Sequence, residues 1–224
     1  MQCFRSLTHL LMVLSAAGLV ACTTATGTPA NGPVPAYSGP TDVSQGGSKQ
    51  TAVLAGGCFW GVDGVFKHVK GVGSVVSGFS GGEANTAHYE VVSTGETGHA
   101  ESVKITYDPS KVTYAQLLRV FFSVATDPTE LNRQGPDVGT QYRSVIFYTN
   151  DEQKQIALAY IDQLNKAHVF SAPIVTQVVP FKAFYEAEAY HQNYLALHPD
   201  QPYIVFNDLP KVRRLKQEFP ELYK

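Results

Sequence analysis

One short segment combines a potential nucleophile with flexible glycines and large aromatic rings: Gly56-Gly57-Cys58-Phe59-Trp60-Gly61. A short apolar run precedes it, and apolar residues at three- and four-residue spacing follow, so Cys58 is predicted at the start of a helix. There, unpaired N–H groups and the positive end of the helix dipole would stabilise a thiolate, the nucleophilic form of cysteine. The alternative is a small inert thiol, because free cysteines are usually buried.

The two aromatic residues after the cysteine add a possible binding surface. Neighbours on a helix lie about 100° apart, so Phe59 and Trp60 cannot both face the core. We expect one of them to line a hollow beside the sulfur that suits a methyl group or another apolar moiety. The alternative is that one ring is buried and the other is loosely covered.

The elements that must position this segment are a mixture of strands and helices. Apolar runs and alternation predict strands at residues 51–55, 72–79, 101–107, 142–148 and 174–179. Helical spacing predicts helices from residue 58, at 114–124, at 151–166 with Asp151 as the cap, and at 187–197. Several strands follow one another directly, which favours a single α+β domain.

The first 21 residues have the pattern of an export signal. Leu10 to Val20 is apolar but too short to span a bilayer, and Arg5 precedes it. The run ends in Leu19-Val20-Ala21-Cys22, which resembles the lipobox of bacterial lipoproteins. We therefore predict a lipoprotein signal peptide at 1–21 and acylation of Cys22; a plain secretory signal is the alternative.

Residues 22–49 are mostly Thr, Gly, Pro, Ser and Asn, a composition that predicts a flexible linker. The folded domain is expected at 50–224, exported and anchored to a membrane through Cys22 on the periplasmic side. Thr23 is not the acidic residue associated with retention in the inner membrane, so the outer membrane is expected.

Composition excludes some classes of partner and site. The formal net charge is -2 and no long Lys/Arg run exists to neutralise phosphates, so no nucleic-acid partner is expected. The histidines are scattered, without the spacing of a metal site. Once Cys3 and Cys22 are set aside, Cys58 stands alone, which leaves no internal disulfide.

A family resemblance extends over residues 50–224. The Gly-Cys-Phe-Trp-Gly segment resembles the signature of the A-type peptide methionine sulfoxide reductases. Further blocks resemble that family in order: Ser77–Gly82, His88–Val92, Thr94–Glu101, Asp137–Ser144, Ala189–Tyr194 and the Gln201-Pro-Tyr-Ile stretch.

The resemblance implies a role for each matching residue. Cys58 would attack the sulfoxide sulfur and become a sulfenic acid, while Phe59 and Trp60 would hold the S-methyl group. Glu101 would be the acid that protonates or hydrogen-bonds the sulfoxide oxygen, since the departing oxygen needs a proton. A carboxyl group beside aromatic rings and away from water keeps its proton near neutral pH.

The remaining implied site residues support that acid. The hydroxyls of Tyr89 and Tyr142 would assist Glu101, and Asp137 would orient the site, through Tyr142 or through water. His191 lies in a matching block but is as well explained by a structural hydrogen bond.

The resemblance also implies the fold, the substrate and the reductant. The fold would be a mixed β-sheet flanked by helices, built on a ferredoxin-like αβ plait. The substrate would be the S epimer of methionine sulfoxide, in proteins or free, with no metal or organic cofactor. Many relatives resolve the sulfenic acid with further cysteines near the C-terminus, and this sequence has none there. We therefore expect an external thiol, such as a thioredoxin-like protein or a small dithiol.

Two other functions fit parts of the sequence. A cysteine hydrolase would pair Cys58 with His191 or His99 as the base. A lipoprotein that only binds would capture apolar side chains at Phe59 and Trp60.

Overall fold

The structure, a computed structural model, describes residues 32–40 and 48–224. The predicted signal peptide and Cys22 lie outside these residues. The strands are β1 (Gln50–Gly56), β2 (Val72–Ser80), β3 (Ala100–Tyr107), β4 (Arg133–Gln134), β5 (Asp137–Val138), β6 (Ser144–Tyr148), β7 (Gln177–Pro180) and β8 (Tyr185–Glu186). The α-helices are α1 (Phe59–Lys67), α2 (Tyr89–Val92), α3 (Tyr114–Val120), α4 (Asp151–Lys166), α5 (Tyr194–Leu197) and α6 (Leu209–Glu218).

The main sheet has six strands in the order β7-β6-β1-β3-β2-β8. Its four central strands, β6-β1-β3-β2, pair antiparallel and form the predicted ferredoxin-like plait. Only β7 runs parallel to its neighbour, β6, which makes the sheet mixed. β1 and β3 are adjacent, so the residues that follow β1 lie beside the start of β3.

Alternate residues of β1 belong to two apolar clusters on opposite faces of the sheet. Ala52 and Leu54 belong to the larger one, which also contains buried side chains of α1, α3, α4 and α6. Val53 and Ala55 point to the opposite face, as the two-residue period of a strand requires. There they join a smaller cluster covered by Val179, Phe181 and Phe184.

Part of the predicted flexible linker is packed against the domain. Val34 is fully buried, its N–H donates to the Ser123 hydroxyl at 3.0 Å, and its carbonyl accepts from Arg119 Nε at 2.8 Å. The Tyr160 hydroxyl donates to the Pro35 carbonyl at 2.6 Å. The expectation of flexibility is therefore wrong for residues 32–40. One valine and a row of backbone groups suffice to fix a segment whose average composition is polar.

The prediction of one helix at 187–197 is also wrong. Residues Ala189–His191 form a 3₁₀ turn and only Tyr194–Leu197 are α-helical. Asn193, between them, has a left-handed backbone with φ 58°, which interrupts a helix. The cap of α4 is Asn150, whose side chain accepts from the Gln153 N–H, and not Asp151 as predicted.

Candidate active site

Cys58 occupies the turn between β1 and α1. Gly57 adopts φ +98°, and a Cβ there would lie 2.6 Å from the side chain of Gln134, so glycine is required on both counts. Cys58 is the N-cap residue of α1 and is 8% exposed. The sulfur is thus placed at the helix start, as predicted, but within the protein surface rather than on it.

Glu101 lies beside this turn because β3 pairs with β1. Its side chain is 3% exposed, and its Oε2 accepts the backbone N–H of Phe59 at 3.0 Å. Burial raises the pKa of Glu101 to about 8, although the bond from Phe59 works against that rise. The carboxyl group therefore holds its proton at neutral pH, as the sequence predicted.

The protonation of Cys58 differs from the expectation. Burial raises the pKa of the thiol well above its ordinary value, and the charges that Glu101 and Asp208 carry at the alkaline pH where the thiol titrates add to that effect. The N–H of Trp60 lowers the pKa but does not outweigh them. The helix start that was expected to stabilise a thiolate donates its first N–H to Glu101 instead. The resting side chain is a neutral thiol.

Two phenols complete the polar side of the site. Tyr89, on α2, and Tyr142, in the turn before β6, are both half-buried. Burial, followed by charge on Glu101, raises the pKa of both hydroxyls, and charge on Cys58 also contributes. Both hydroxyls therefore stay protonated at neutral pH and can donate hydrogen bonds within electrostatic range of Glu101 and Cys58.

Asp137 has a different partner from the one expected. Its Oδ2 accepts a hydrogen bond from the Tyr203 hydroxyl, not from Tyr142. Burial raises the pKa of Asp137, and the bond from Tyr203 opposes that rise. Sequence reasoning gave Tyr203 no role, although it lies in the Gln201-Pro-Tyr-Ile block.

Trp60 is held by a set of rings that sequence reasoning did not identify. The indole stacks on Tyr194 with ring centroids 3.7 Å apart and meets the edge of Tyr203 at 5.9 Å. Its Nε1 donates to Nδ1 of His191 at 3.2 Å. The partners lie more than a hundred residues away along the chain, beyond the reach of local patterns.

Phe59 faces inward, whereas Trp60 remains half-buried at the rim. Phe59 is 1% exposed and lies 5.8 Å from the Phe79 ring and 5.0 Å from His191. The structure thus separates the two aromatic residues, as helical geometry requires. Both residues follow Cys58 directly in the chain, at the start of α1.

The two histidines considered as bases have other partners. His191 accepts from Trp60, and burial lowers its pKa. His99 accepts the Gly82 N–H at 3.2 Å through Nδ1, and its Nε2 lies 3.0 Å from the Glu83 carbonyl. Within the residues that the structure describes, neither histidine is hydrogen-bonded to Cys58.

Comparison with known protein families gives a match over nearly the whole domain. The profile of the family described as Peptide methionine sulfoxide reductase matches residues 50–222. The chain belongs to this family.

Individual relatives of the reductase family cover most of the chain. Peptide methionine sulfoxide reductase MsrA 2 of Mesorhizobium japonicum is 67% identical over 174 residues, 78% of this chain and 89% of the relative. The protein of the same name from Synechocystis sp. is 52% identical over 175 residues, covering 78% and 82%. The resemblance inferred from the sequence blocks is therefore confirmed.

Solved reductase structures share the fold. Methionine sulfoxide reductase A of Corynebacterium diphtheriae has a TM-score of 0.59 at 32% identity, covering 77% of this chain and 89% of that one. Reduced Mxr1 from Saccharomyces cerevisiae has a TM-score of 0.61 at 33% identity, covering 68% and 87%.

Membership makes the chain an oxidoreductase whose reaction is the reduction of methionine sulfoxide. Among the described residues, no group of three or more His, Cys, Asp or Glu side chains is placed to hold a metal ion. No helix in the described ranges has the length and hydrophobicity to cross a membrane.

Proposed function

We propose that the chain reduces the S epimer of methionine sulfoxide, free or within proteins, with Cys58 as the nucleophile. The thiol sulfur attacks the sulfoxide sulfur while Glu101 donates a proton to the oxygen. The attack forms an S–S bond. The protonated oxygen then bonds to the Cys58 sulfur while the S–S bond and the S–O bond to the methionine sulfur both break, so methionine leaves as the thioether and Cys58 becomes a sulfenic acid. Sulfoxide sulfur gains two electrons and Cys58 loses two, and the thiol proton restores Glu101.

The observation that carries this proposal is the bond between Phe59 N–H and Glu101. It places a carboxylic acid that is protonated at neutral pH against the residue next to the sulfur. An unprotonated oxygen is held strongly by the methionine sulfur, and a positioned acid that protonates it weakens the S–O bond that must break. The protonated hydroxyls of Tyr89 and Tyr142 supply two further donors within electrostatic range of Glu101 and Cys58.

Regeneration of the thiol is proposed to need an external reductant. Cys58 is the single cysteine after Cys22 in this sequence, so its sulfenic acid has no internal partner. A first external thiol would displace water and form a mixed disulfide. A second would release Cys58 as a thiol and leave the reductant as a disulfide. A thioredoxin-like protein or a small dithiol meets this requirement.

The proposed setting is repair of oxidised proteins at a membrane surface outside the cytoplasm. It rests on the lipobox-like end of the apolar run and on Cys22, which lie outside the described residues. We expect a lipid label fed to expressing cells to appear in the wild-type protein and not in the Cys22→Ser variant. Equal labelling of both, or of neither, would contradict the anchor.

The activity is tested by a dithiothreitol-driven assay on each sulfoxide epimer. We expect turnover of the S epimer, its loss in Cys58→Ser, and a large loss in Glu101→Gln. Glu96→Gln is the matched control, since Glu96 is exposed on the loop before β3. Full activity of Cys58→Ser would overturn the proposal.

A further inference from the structure

Asp208 is a buried acid that the proposed reaction does not use. It ends a π-helical turn, Ile204–Asp208, immediately before α6, and its side chain is 0% exposed. Neither carboxylate oxygen accepts a hydrogen bond from any residue that the structure describes. Lys211 Nζ lies 3.7 Å from Oδ1, close enough for an ion pair but too far for a hydrogen bond.

The position of this carboxylate is tied to the start of α1. A Cβ added at Gly61 would overlap Oδ1 of Asp208 and lie 2.8 Å from its Cγ. The carboxylate therefore rests on the first turn of α1, three residues after Cys58. The second glycine of the Gly-Cys-Phe-Trp-Gly segment is explained by the room that Asp208 needs.

Stability does not explain this arrangement. Asp208 stands at the N-cap position of α6, but its side chain makes no capping hydrogen bond. Burying a carboxylate whose oxygens lack hydrogen bonds costs free energy, and a single ion pair seldom offsets that cost. An ion pair between Asp208 and Lys211 could form equally well on the surface. The buried placement against α1 thus calls for a different reason.

The positive end of a helix favours one nearby anion, and two anions placed there repel each other. Asp208 and a Cys58 thiolate would share the first turn of α1. We propose that Asp208 is a positioning residue for the reaction, whose buried charge further disfavours the Cys58 thiolate and so extends to higher pH the range in which the resting enzyme holds a thiol. A thiol resists oxidation and alkylation better than a thiolate does, which protects the one cysteine that the reaction needs.

Other charged and titratable groups also face the pair and must be held constant. Around Cys58 and Asp208 they are Glu101 on β3, Asp137 on β5, Lys211 on α6, and the phenols Tyr89, Tyr142 and Tyr203. Burial raises the pKa of Asp208 to about 6 and Lys211 opposes the rise, so the carboxylate is charged at neutral and alkaline pH. Its effect on Cys58 is therefore present where the thiol titrates.

The inference rests on Cys58 as the proposed nucleophile and is tested without turnover. The full chain is alkylated with iodoacetamide over a pH series from neutral to strongly alkaline, and the peptide holding Cys58 is quantified by mass spectrometry. Asp208→Asn removes the charge with little change of shape. It should lower the pH at which alkylation of Cys58 is half-maximal (the midpoint) by about one pH unit. Lys211→Met leaves the carboxylate without its cation and should raise the midpoint.

Asp162→Asn is the charge-matched control, since Asp162 is exposed and pairs with Lys166 on α4. It should leave the midpoint unchanged. A midpoint in Asp208→Asn equal to the control, or higher, would overturn the inference. If Asp208→Asn does not fold by circular dichroism, Lys211→Met decides, and an unmoved midpoint there overturns it.

Failure of this inference is distinguishable from failure of the proposed function. If Cys58→Ser keeps its reductase activity, the proposed nucleophile is wrong whatever the alkylation series shows. If Cys58→Ser is inactive and the midpoints do not move, only the role of Asp208 is wrong.

Discussion

The backbone N–H of Phe59 donates to Oε2 of Glu101 at 3.0 Å, although 42 positions separate the two residues in the chain. The pairing of β1 with β3 makes this contact possible, because it brings the end of one strand beside the start of the other. The helix start thereby holds the acid of the site in place. The sulfur next to it remains a neutral thiol.

Glu101 should set the alkaline limit of activity. Its pKa of about 8 means that the proton donor is lost as the pH rises through that value, so kcat of the wild type should fall there. Glu101→Gln should lower kcat by about 100-fold or more, the usual contribution of a positioned acid. Steady-state assays over a pH series test both statements. An alkaline limb that persists unchanged in Glu101→Gln would assign it to another group.

The same carboxyl group should make stability depend on pH. Its pKa in the folded state, about 8, lies above the ordinary value of 4.5, so the folded protein keeps a proton that the unfolded chain has lost. The free energy of unfolding should therefore decline as the pH rises from about 4.5 to about 8. Glu101→Gln cannot ionise and should lose this slope. In thermal melts, the melting temperature of Glu101→Gln should rise relative to that of the wild type between acidic and alkaline pH. If the two melting temperatures change with pH in parallel, this prediction is wrong.

Trp60 offers an optical probe of the site, because it is the only tryptophan in the sequence. Its half-buried ring belongs to the second residue after Cys58 and is fixed by Tyr194 and His191. Methionine sulfoxide added to the inactive Cys58→Ser variant should change the tryptophan emission in a saturable way. Trp60→Ala in the active enzyme should raise KM more than it lowers kcat. A flat titration at high substrate concentration would remove Trp60 from the binding surface.

The packed segment at residues 32–40 should contribute to stability. Val34→Ala should lower the free energy of unfolding by about 1–3 kcal/mol, since a fully buried valine loses two methyl groups. Val138→Ala is the matched control: that side chain is 69% exposed, and its change should stay within about 0.5 kcal/mol. Urea unfolding compares them. Equal urea midpoints for Val34→Ala and Val138→Ala would mean that packing of residues 32–40 does not contribute to the free energy of unfolding.

Local patterns were sufficient for the elements that carry Cys58 and Glu101. Apolar runs and alternation placed β1, β2 and β3 to within a residue or two, and the ordered sequence blocks identified the acid and both phenols as site candidates. The segment 187–197 has helical spacing, yet the left-handed Asn193 breaks it, and no periodicity reveals a backbone angle.

Contacts between distant parts of the chain account for what the sequence did not disclose. Val34 is held in place by the hydrogen bond that its N–H donates to the Ser123 hydroxyl and by the one that its carbonyl accepts from Arg119, both far away along the chain. Asp208 meets Gly61 only because α6 packs on α1. The protonation of Cys58 follows from burial and from two acids far along the chain, which outweigh the local effect of the helix start.

The central claim is that Cys58 takes the oxygen from the substrate and keeps it as a sulfenic acid. Its most direct test is mass spectrometry of the protein after one turnover with methionine sulfoxide in the absence of thiols. The account predicts one added oxygen atom on the peptide that holds Cys58, trapped by dimedone and absent from Cys58→Ser. Methionine formed with Cys58 unchanged, or an intramolecular disulfide in place of the sulfenic acid, would contradict it.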